Sequence, residues 1–252
     1  MRAITDSVTM TRRQIRHIWR YPTLVLTFAA VPVVFLLLFV YVFGGAMGAG
    51  LGAGRAAYVG FLVPGIMVTT IVGAAQGTAI SVATDMTEGI IARFKTMAIA
   101  RVSVLTGHVL GALAQTFLAV AVVMVVALLI GFRPAASVAG WAGVVGVLAM
   151  FTFAITWLSV ALAMVSRNVA TASNLPMPLM VLPFLGSGFV PAESMPGPLR
   201  WFAEHQPVTP VIETLRALLA GRPAGPELVE AAVWSAGIAL AGYLWARRLY
   251  NR

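Results

Sequence analysis

The run Leu24-Val-Leu-Thr-Phe-Ala-Ala-Val-Pro-Val-Val-Phe-Leu-Leu-Leu-Phe-Val-Tyr-Val-Phe43 contains no charged residue. About 20 apolar residues let a helix cross the hydrocarbon core of a bilayer, so this run predicts a membrane span. It lies inside an uncharged stretch covering residues 23–54. Four more uncharged stretches follow: residues 56–84, 102–132 (with His108 neutral), 134–166 and the proline-rich 168–192. A sixth, 231–246, is slightly short, with Leu228 and Glu230 expected at its outer edge. The expected fold is an all-α membrane protein, one domain over residues 1–252 with six transmembrane helices. Arginines precede the first run, as in a signal peptide. Its apolar part is too long for a cleaved segment, however, and no clear small-residue cleavage site ends it, so an uncleaved span is expected.

Composition agrees. The chain is 60% hydrophobic and 10% charged, whereas soluble domains carry about 25% charged residues. There are too few polar residues to coat a globule of this size. With no cysteine, disulfides, thiolate metal sites and thiol nucleophiles are excluded. The net charge of +9 could suggest nucleic acid. The basic residues sit between the apolar runs, however, where they meet anionic lipid and set topology. Membrane lipid, not nucleic acid, is the expected partner.

Six spans put both termini on one side. That side would hold Arg2, Arg12, Arg13, Arg16, Arg20, Arg93, Lys95, Arg101, Arg167, Arg247, Arg248 and Arg252. The other would hold only Arg55, Arg133, Arg200, Arg216 and Arg222. The excess makes the termini cytoplasmic by the positive-inside rule.

Residues 1–22 form an amphipathic pattern. Ile4, Val8, Ile15, Ile18 and Trp19 share one arc, and Arg13, Arg16 and Arg20 the opposite one, with Arg12 at its edge. Such a helix lies in the headgroup plane and could also contact a cytoplasmic protein. In the second and third spans, Gly73/Gly77 and Gly107/Gly111 are small residues four apart, a spacing that lets helices pack closely in lipid.

The longest cytoplasmic loop, residues 85–101, concentrates charge. Asp85 with Glu88 three residues on reads as a helix start. Ile90, Ile91, Phe94 and Met97 make an apolar face, with Arg93 and Lys95 off it. The fifth stretch is interrupted by Pro176, Pro178, Pro183 and Pro191, with Gly186 and Gly188 between them. Broken backbone at membrane depth survives only when buried in protein or lining a wet cavity. This stretch therefore reads as a mobile or path-lining element, with a packing kink as the alternative. The outer segment, 192–227, holds Trp201-Phe202 and a short amphipathic helix over 211–219, both expected to dip into the outer interface as re-entrant or interfacial helices.

Several chemistries are missing. No Gly-x-x-x-x-Gly-Lys-Ser/Thr, His-Glu-x-x-His or Gly-x-Ser-x-Gly occurs, and His17, His108 and His205 are scattered. The chain is not expected to be an enzyme. No Asp, Glu, Lys or Arg is expected deep in a span, unlike proton-coupled pumps. His108, Gln76 and Gln115 are expected to bond across helices. An apolar route suits a hydrophobic or amphipathic substrate, with the energy supplied from elsewhere.

The layout resembles the type-2 ABC transporter permeases, which include daunorubicin-resistance-like bacterial drug exporters. The N-terminal helix is similar to the family's connecting helix. Glu88-Gly-Ile-Ile-Ala-Arg-Phe-Lys-Thr-Met-Ala-Ile-Ala-Arg101 is similar to its coupling segment. Pro176-Met-Pro-Leu-Met, Gly186-Ser-Gly-Phe-Val-Pro191, Met195-Pro196, Trp201-Phe202, Pro207-Val-Thr-Pro210 and Leu215-Arg216 resemble its C-terminal pattern in that order. The resemblance implies a permease in a bacterial cell membrane, paired with a second permease and two ABC ATP-binding subunits. ATP and Mg would be used by those subunits, with no cofactor bound by this chain. It implies coupling to the ATPase through Glu88, Gly89, Arg93, Lys95, Arg101, Arg12 and Arg16. It also implies a translocation path or gate at Gln76, Gln115, Pro183, Phe189, Trp201 and Phe202, with 192–227 as the exit segment. The cargo would be a drug or lipid. A secondary transporter or channel without an ATPase partner is the alternative, ahead of a membrane scaffold.

Overall fold

The structure, a computed structural model, describes residues 22–50, 54–89, 101–166 and 168–250. Among them every regular element is helical. The first apolar run becomes α1 (Pro22–Leu38), a π turn (Phe39–Phe43) and α2 (Gly44–Gly50). Then come α3 (Gly54–Thr87), α4 (Arg101–Leu129) and α5 (Val138–Val165). The proline-rich stretch gives only α6 (Val169–Asn174) and α7 (Met177–Val181), followed by turns over 182–189. Beyond these lie α8 (Gly197–His205), α9 (Val208–Leu219) and α10 (Glu227–Tyr250).

Five helical runs among the described residues are long and apolar enough to cross a membrane: Ala29–Gly48, Gly54–Thr87, Thr106–Leu129, Val138–Val165 and Glu227–Tyr250. The chain is thus a multi-pass membrane protein. The fifth stretch is not a sixth helix of that kind, because Pro176, Pro178 and Pro183 withhold the N–H donors a continuous helix needs.

Helix α3 is the axis of the bundle. It packs against α1, α4, α5, α6 and α9. It is buried on nearly every side from Leu62 to Val72, as expected of a helix that is apolar all round. Helices α5 and α10 form a second tight pair. A Cβ on Gly242 would lie 2.7 Å from the Leu158 nitrogen, so glycine is what lets the two backbones meet there.

Three readings need correction. Asp85 does not start a helix, since α3 runs through it to Thr87. The helix is closed at Gly89, whose φ of +71° supplies the left-handed residue that ends a helix C-terminus. Gly73 does not serve close approach to another described helix of this chain, for a Cβ there would meet nothing within 4 Å. The close approach on α3 is at Gly65 instead. Finally, the outer amphipathic helix begins three residues earlier than read, at Val208. Pro210 falls in its first turn, where no N–H is required. The helix does not rest at the surface: Val208, Val211, Ile212, Leu215 and Leu219 belong to the main core.

The predicted N-terminal helix with Arg12 and Arg16, and the loop residues Arg93 and Lys95, lie outside the described residues.

Candidate functional site

The interrupted segment runs along α3 in a fixed register. Near one end, the Gln76 amide donates to the Ser173 carbonyl at 2.8 Å. Near the other, a Cβ on Gly65 would lie 2.3 Å from the Gly188 carbonyl oxygen, so the two backbones are in direct contact. The distance along α3 from Gly65 to Gln76 is about 16 Å at 1.5 Å per residue. The segment therefore travels antiparallel to α3 over roughly half the hydrocarbon thickness. On its other flank, Phe184 meets Phe35 edge-on at 5.7 Å, and Phe189 meets Phe39 at 4.8 Å. Phe184 and Phe189 stack at 4.3 Å. The segment thus rises parallel to α1, which turns into its π stretch at Phe39.

Around Gly186-Ser187-Gly188 the turn is tied down by polar groups. Arg216, on α9, donates from Nη2 to the Ser187 carbonyl at 2.7 Å and to the Phe61 carbonyl at 3.2 Å. Its Nη1 donates to the Glu213 carboxylate. The guanidinium carbon lies 3.8 Å from the centre of the Phe61 ring, a cation–π contact. The side chain is 13% exposed. One arginine so joins α3, the turn and α9. Pro64 lies just beyond Phe61 and removes one N–H from this part of α3.

Gln206 makes the second tie, donating from Nε2 to the Leu182 carbonyl at 2.9 Å. Gly186 sits against it, and a Cβ there would fall 2.2 Å from Gln206 Nε2 and 2.8 Å from Thr209 Oγ1. Ser187 Oγ and Gln206 Oε1 are buried without a hydrogen bond among the described residues.

At the opposite end of α3, His108 Nε2 of α4 lies 3.0 Å from Asp85 Oδ2, with the side chains 7% and 19% exposed. This pair ties together the two roots of the 88–101 loop. Glu88 is exposed, Gly89 caps α3, and Arg101 opens α4.

The structure thus gathers some expected residues and separates others. Pro183 and Phe189 are buried in the segment. Gln76 bonds across helices as expected, and His108 does so through Asp85. Gln115 is half-buried on α4 and has no hydrogen-bond partner among the described residues. Trp201 and Phe202 stand out on α8, with Trp201 63% exposed and stacked on His205 of the same helix. Arg200 on that helix hydrogen-bonds the Glu204 carboxylate, which holds its guanidinium above the ordinary arginine range. Sequence reasoning placed Arg216 among the outer charges and missed its central position. Its one signal was a cation inside the pattern Val211-Ile-Glu-Thr-Leu-Arg-Ala-Leu-Leu219 with apolar residues on both sides.

A bundle of membrane-crossing helices wrapped on one side by a polar-tied, proline-broken segment has the build of a membrane transporter. The ABC-2 type transporter family model matches residues 5–220, and the chain belongs to that family. Only the first four residues and the C-terminal part containing α10 fall outside the match. Among its relatives is the daunorubicin resistance ABC transporter permease protein DrrB1 of Streptomyces coeruleorubidus. It is 29% identical over 247 residues, covering 95% of this chain and 81% of that protein. The probable doxorubicin resistance ABC transporter permease protein DrrC of Mycobacterium tuberculosis is 24% identical over 177 residues, covering 70% of this chain and 64% of that protein.

Proposed function

We propose that this chain is the permease subunit of an ATP-driven exporter that moves a hydrophobic or amphipathic compound, a drug or a lipid, out of a bacterial cell. The family match over residues 5–220 carries this reading. On this reading ATP and Mg are handled by ATP-binding subunits, two copies beneath a pair of permeases, in keeping with the family. The names of the relatives, both drug-resistance permeases, favour a drug as cargo.

The interrupted segment serves as a further crossing, fifth in chain order, and brings the number of crossings to six. Its antiparallel register with α3 and parallel register with α1 support this. With it, both termini face the cytoplasm and 192–227 is the exit segment. Glu88, Gly89, Arg93, Lys95, Arg101, Arg12 and Arg16 form the surface that meets the ATPase. Asp85–His108 makes the two helices that flank the loop move together. Gln76, Gln115, Pro183 and Phe189 line the path, with Trp201 and Phe202 at its outer rim.

The test is reconstitution with the ATP-binding subunit. Glu88→Lys, an exposed charge reversal next to the α3 cap, is expected to lower substrate-stimulated ATP hydrolysis several-fold while membrane insertion is retained. Unchanged hydrolysis would remove Glu88 from the coupling surface. Uphill transport by this polypeptide alone, driven by an ion gradient and insensitive to ATP depletion, would favour a secondary transporter.

A further inference from the structure

Arg216 is an expensive residue to keep where it is. A cation removed from water needs charge and hydrogen bonds in return, and Arg216 takes these from three separate elements. Two of its acceptors are backbone carbonyls, of Phe61 on α3 and Ser187 in the turn. The third is Glu213, one helical turn before it on α9. A side chain needed only to hold α9 on α3 would not have to reach the turn. The turn is otherwise held by the Gln206 tie to the Leu182 carbonyl and by close packing. It lacks regular helical structure, and both its glycines are occupied by close approach: Gly65 against Gly188, and Gln206 with Thr209 against Gly186. Ser187 Oγ and Gln206 Oε1 remain buried and unpaired here.

We propose that Arg216 is the positioning residue of an outer gate. Its guanidinium pins the Gly186–Gly188 turn to α3 and α9 when the path is closed, and each transport cycle breaks and remakes that contact. This rests on the reading of the interrupted segment as path-lining. Opening exchanges the Ser187 carbonyl for other acceptors. Glu213, 35% exposed and on Arg216's own helix, stays with the guanidinium throughout and keeps it paired.

The chain has no native cysteine, so an engineered bridge reads this motion directly. In the double variant Gly186→Cys, Thr209→Cys, the new Cβ at 186 starts 2.8 Å from the position of Thr209 Oγ1, within reach of disulfide geometry. The far end of the Gln206 side chain must swing aside, and the Leu182 carbonyl oxygen, 3.2 Å from the new Cβ, must give by a few tenths of an ångström. The complete complex with its ATP-binding subunit is assayed in inside-out vesicles with daunorubicin as probe. Oxidation is expected to form the bridge in the resting complex and abolish ATP-driven uptake, and a reductant should restore the uptake of the same preparation. Bridged complex that transports at its reduced rate overturns the proposal, as does a resting complex in which no bridge forms. In parallel, Arg216→Gln complex in proteoliposomes is expected to leak calcein several-fold faster than the parent without ATP. A leak equal to the parent's overturns the latch. Failure of the unmodified complex to accumulate probe with ATP would instead defeat the exporter reading itself.

Discussion

The two ends of α3 are built on opposite plans. At the Arg216 end, two backbones touch at Gly65 and Gly188, and Arg216 and Gln206 hold an irregular turn in place. At the Glu88 end, Ala79, Val82 and Val109 pack α3 against α4, the Asp85–His108 pair adds a polar tie, and the helix then ends at a glycine. The first end is a packed, specific surface that tolerates little change. The second end carries the charged residue Glu88 exposed. On the proposed reading, the Glu88 end is where the ATPase pushes and the Arg216 end is what it opens.

The largest expected effect lies at the packed end. Gly65→Ala would drive a Cβ to 2.3 Å from the Gly188 carbonyl oxygen, with the Gly188 carbon and Cα 2.8 Å away. All three atoms are backbone, so no side-chain rotation relieves the clash. Overpacking of this kind costs about 3 kcal/mol, read as a marked drop in the thermal midpoint of the purified protein. Gly73→Ala, two turns further along α3, is the control. Its Cβ meets nothing, and alanine favours helix over glycine by about 0.5–1 kcal/mol, so its midpoint should rise or hold. Equal losses at both positions would erase the contrast.

These two glycines also show what the sequence could and could not say. The apolar runs were legible because span length is encoded directly in the absence of charge over about 20 residues. The break in the fifth stretch was legible because each proline withdraws a donor. Gly73 and Gly77 drew attention through their spacing, whereas Gly65, on the same four-residue row through Thr69, does the close packing. Its partner, Gly188, is far away in sequence, and no local signal reports that meeting. Asp85 and Glu88 imitate a helix start, and what decides against it is Gly89 as the stop of a helix already under way. The burial of Arg216 was hidden for a similar reason. A short helix with an apolar face reads the same whether it lies on lipid or on α3 and α5.

An intermediate effect is expected at the Glu88 end. Asp85→Ala leaves His108, 7% exposed, without the carboxylate 3.0 Å away. Losing a hydrogen bond to a charged group costs about 2 kcal/mol. The more telling readout is functional. If the pair makes the loop roots move as one, ATP hydrolysis by the complex should continue while transport per ATP falls. A drop in hydrolysis in proportion to transport would make Asp85 a structural contact only.

The smallest effect is expected from an arginine that looks on paper like a twin of Arg216. Arg200 bonds Glu204 at 2.7 Å, four residues apart on α8, just as Arg216 bonds Glu213 three residues apart on α9. Both helices lie between the interrupted segment and α10, and both pairs look alike in the sequence. They differ in what surrounds them. Arg200 and Glu204 are 48% and 42% exposed, so water solvates each charge whether or not the other is present, and salt screens the attraction. Arg216 is desolvated, and its remaining donors go to carbonyls of two other elements, so its removal unpairs three places at once. Arg200→Gln should therefore leave the thermal midpoint, the calcein leak and ATP-driven transport at parent values, in low salt and in high. A leak comparable to that of Arg216→Gln would mean that charge on the outer segment, rather than the tie to Ser187 and Phe61, keeps the path shut.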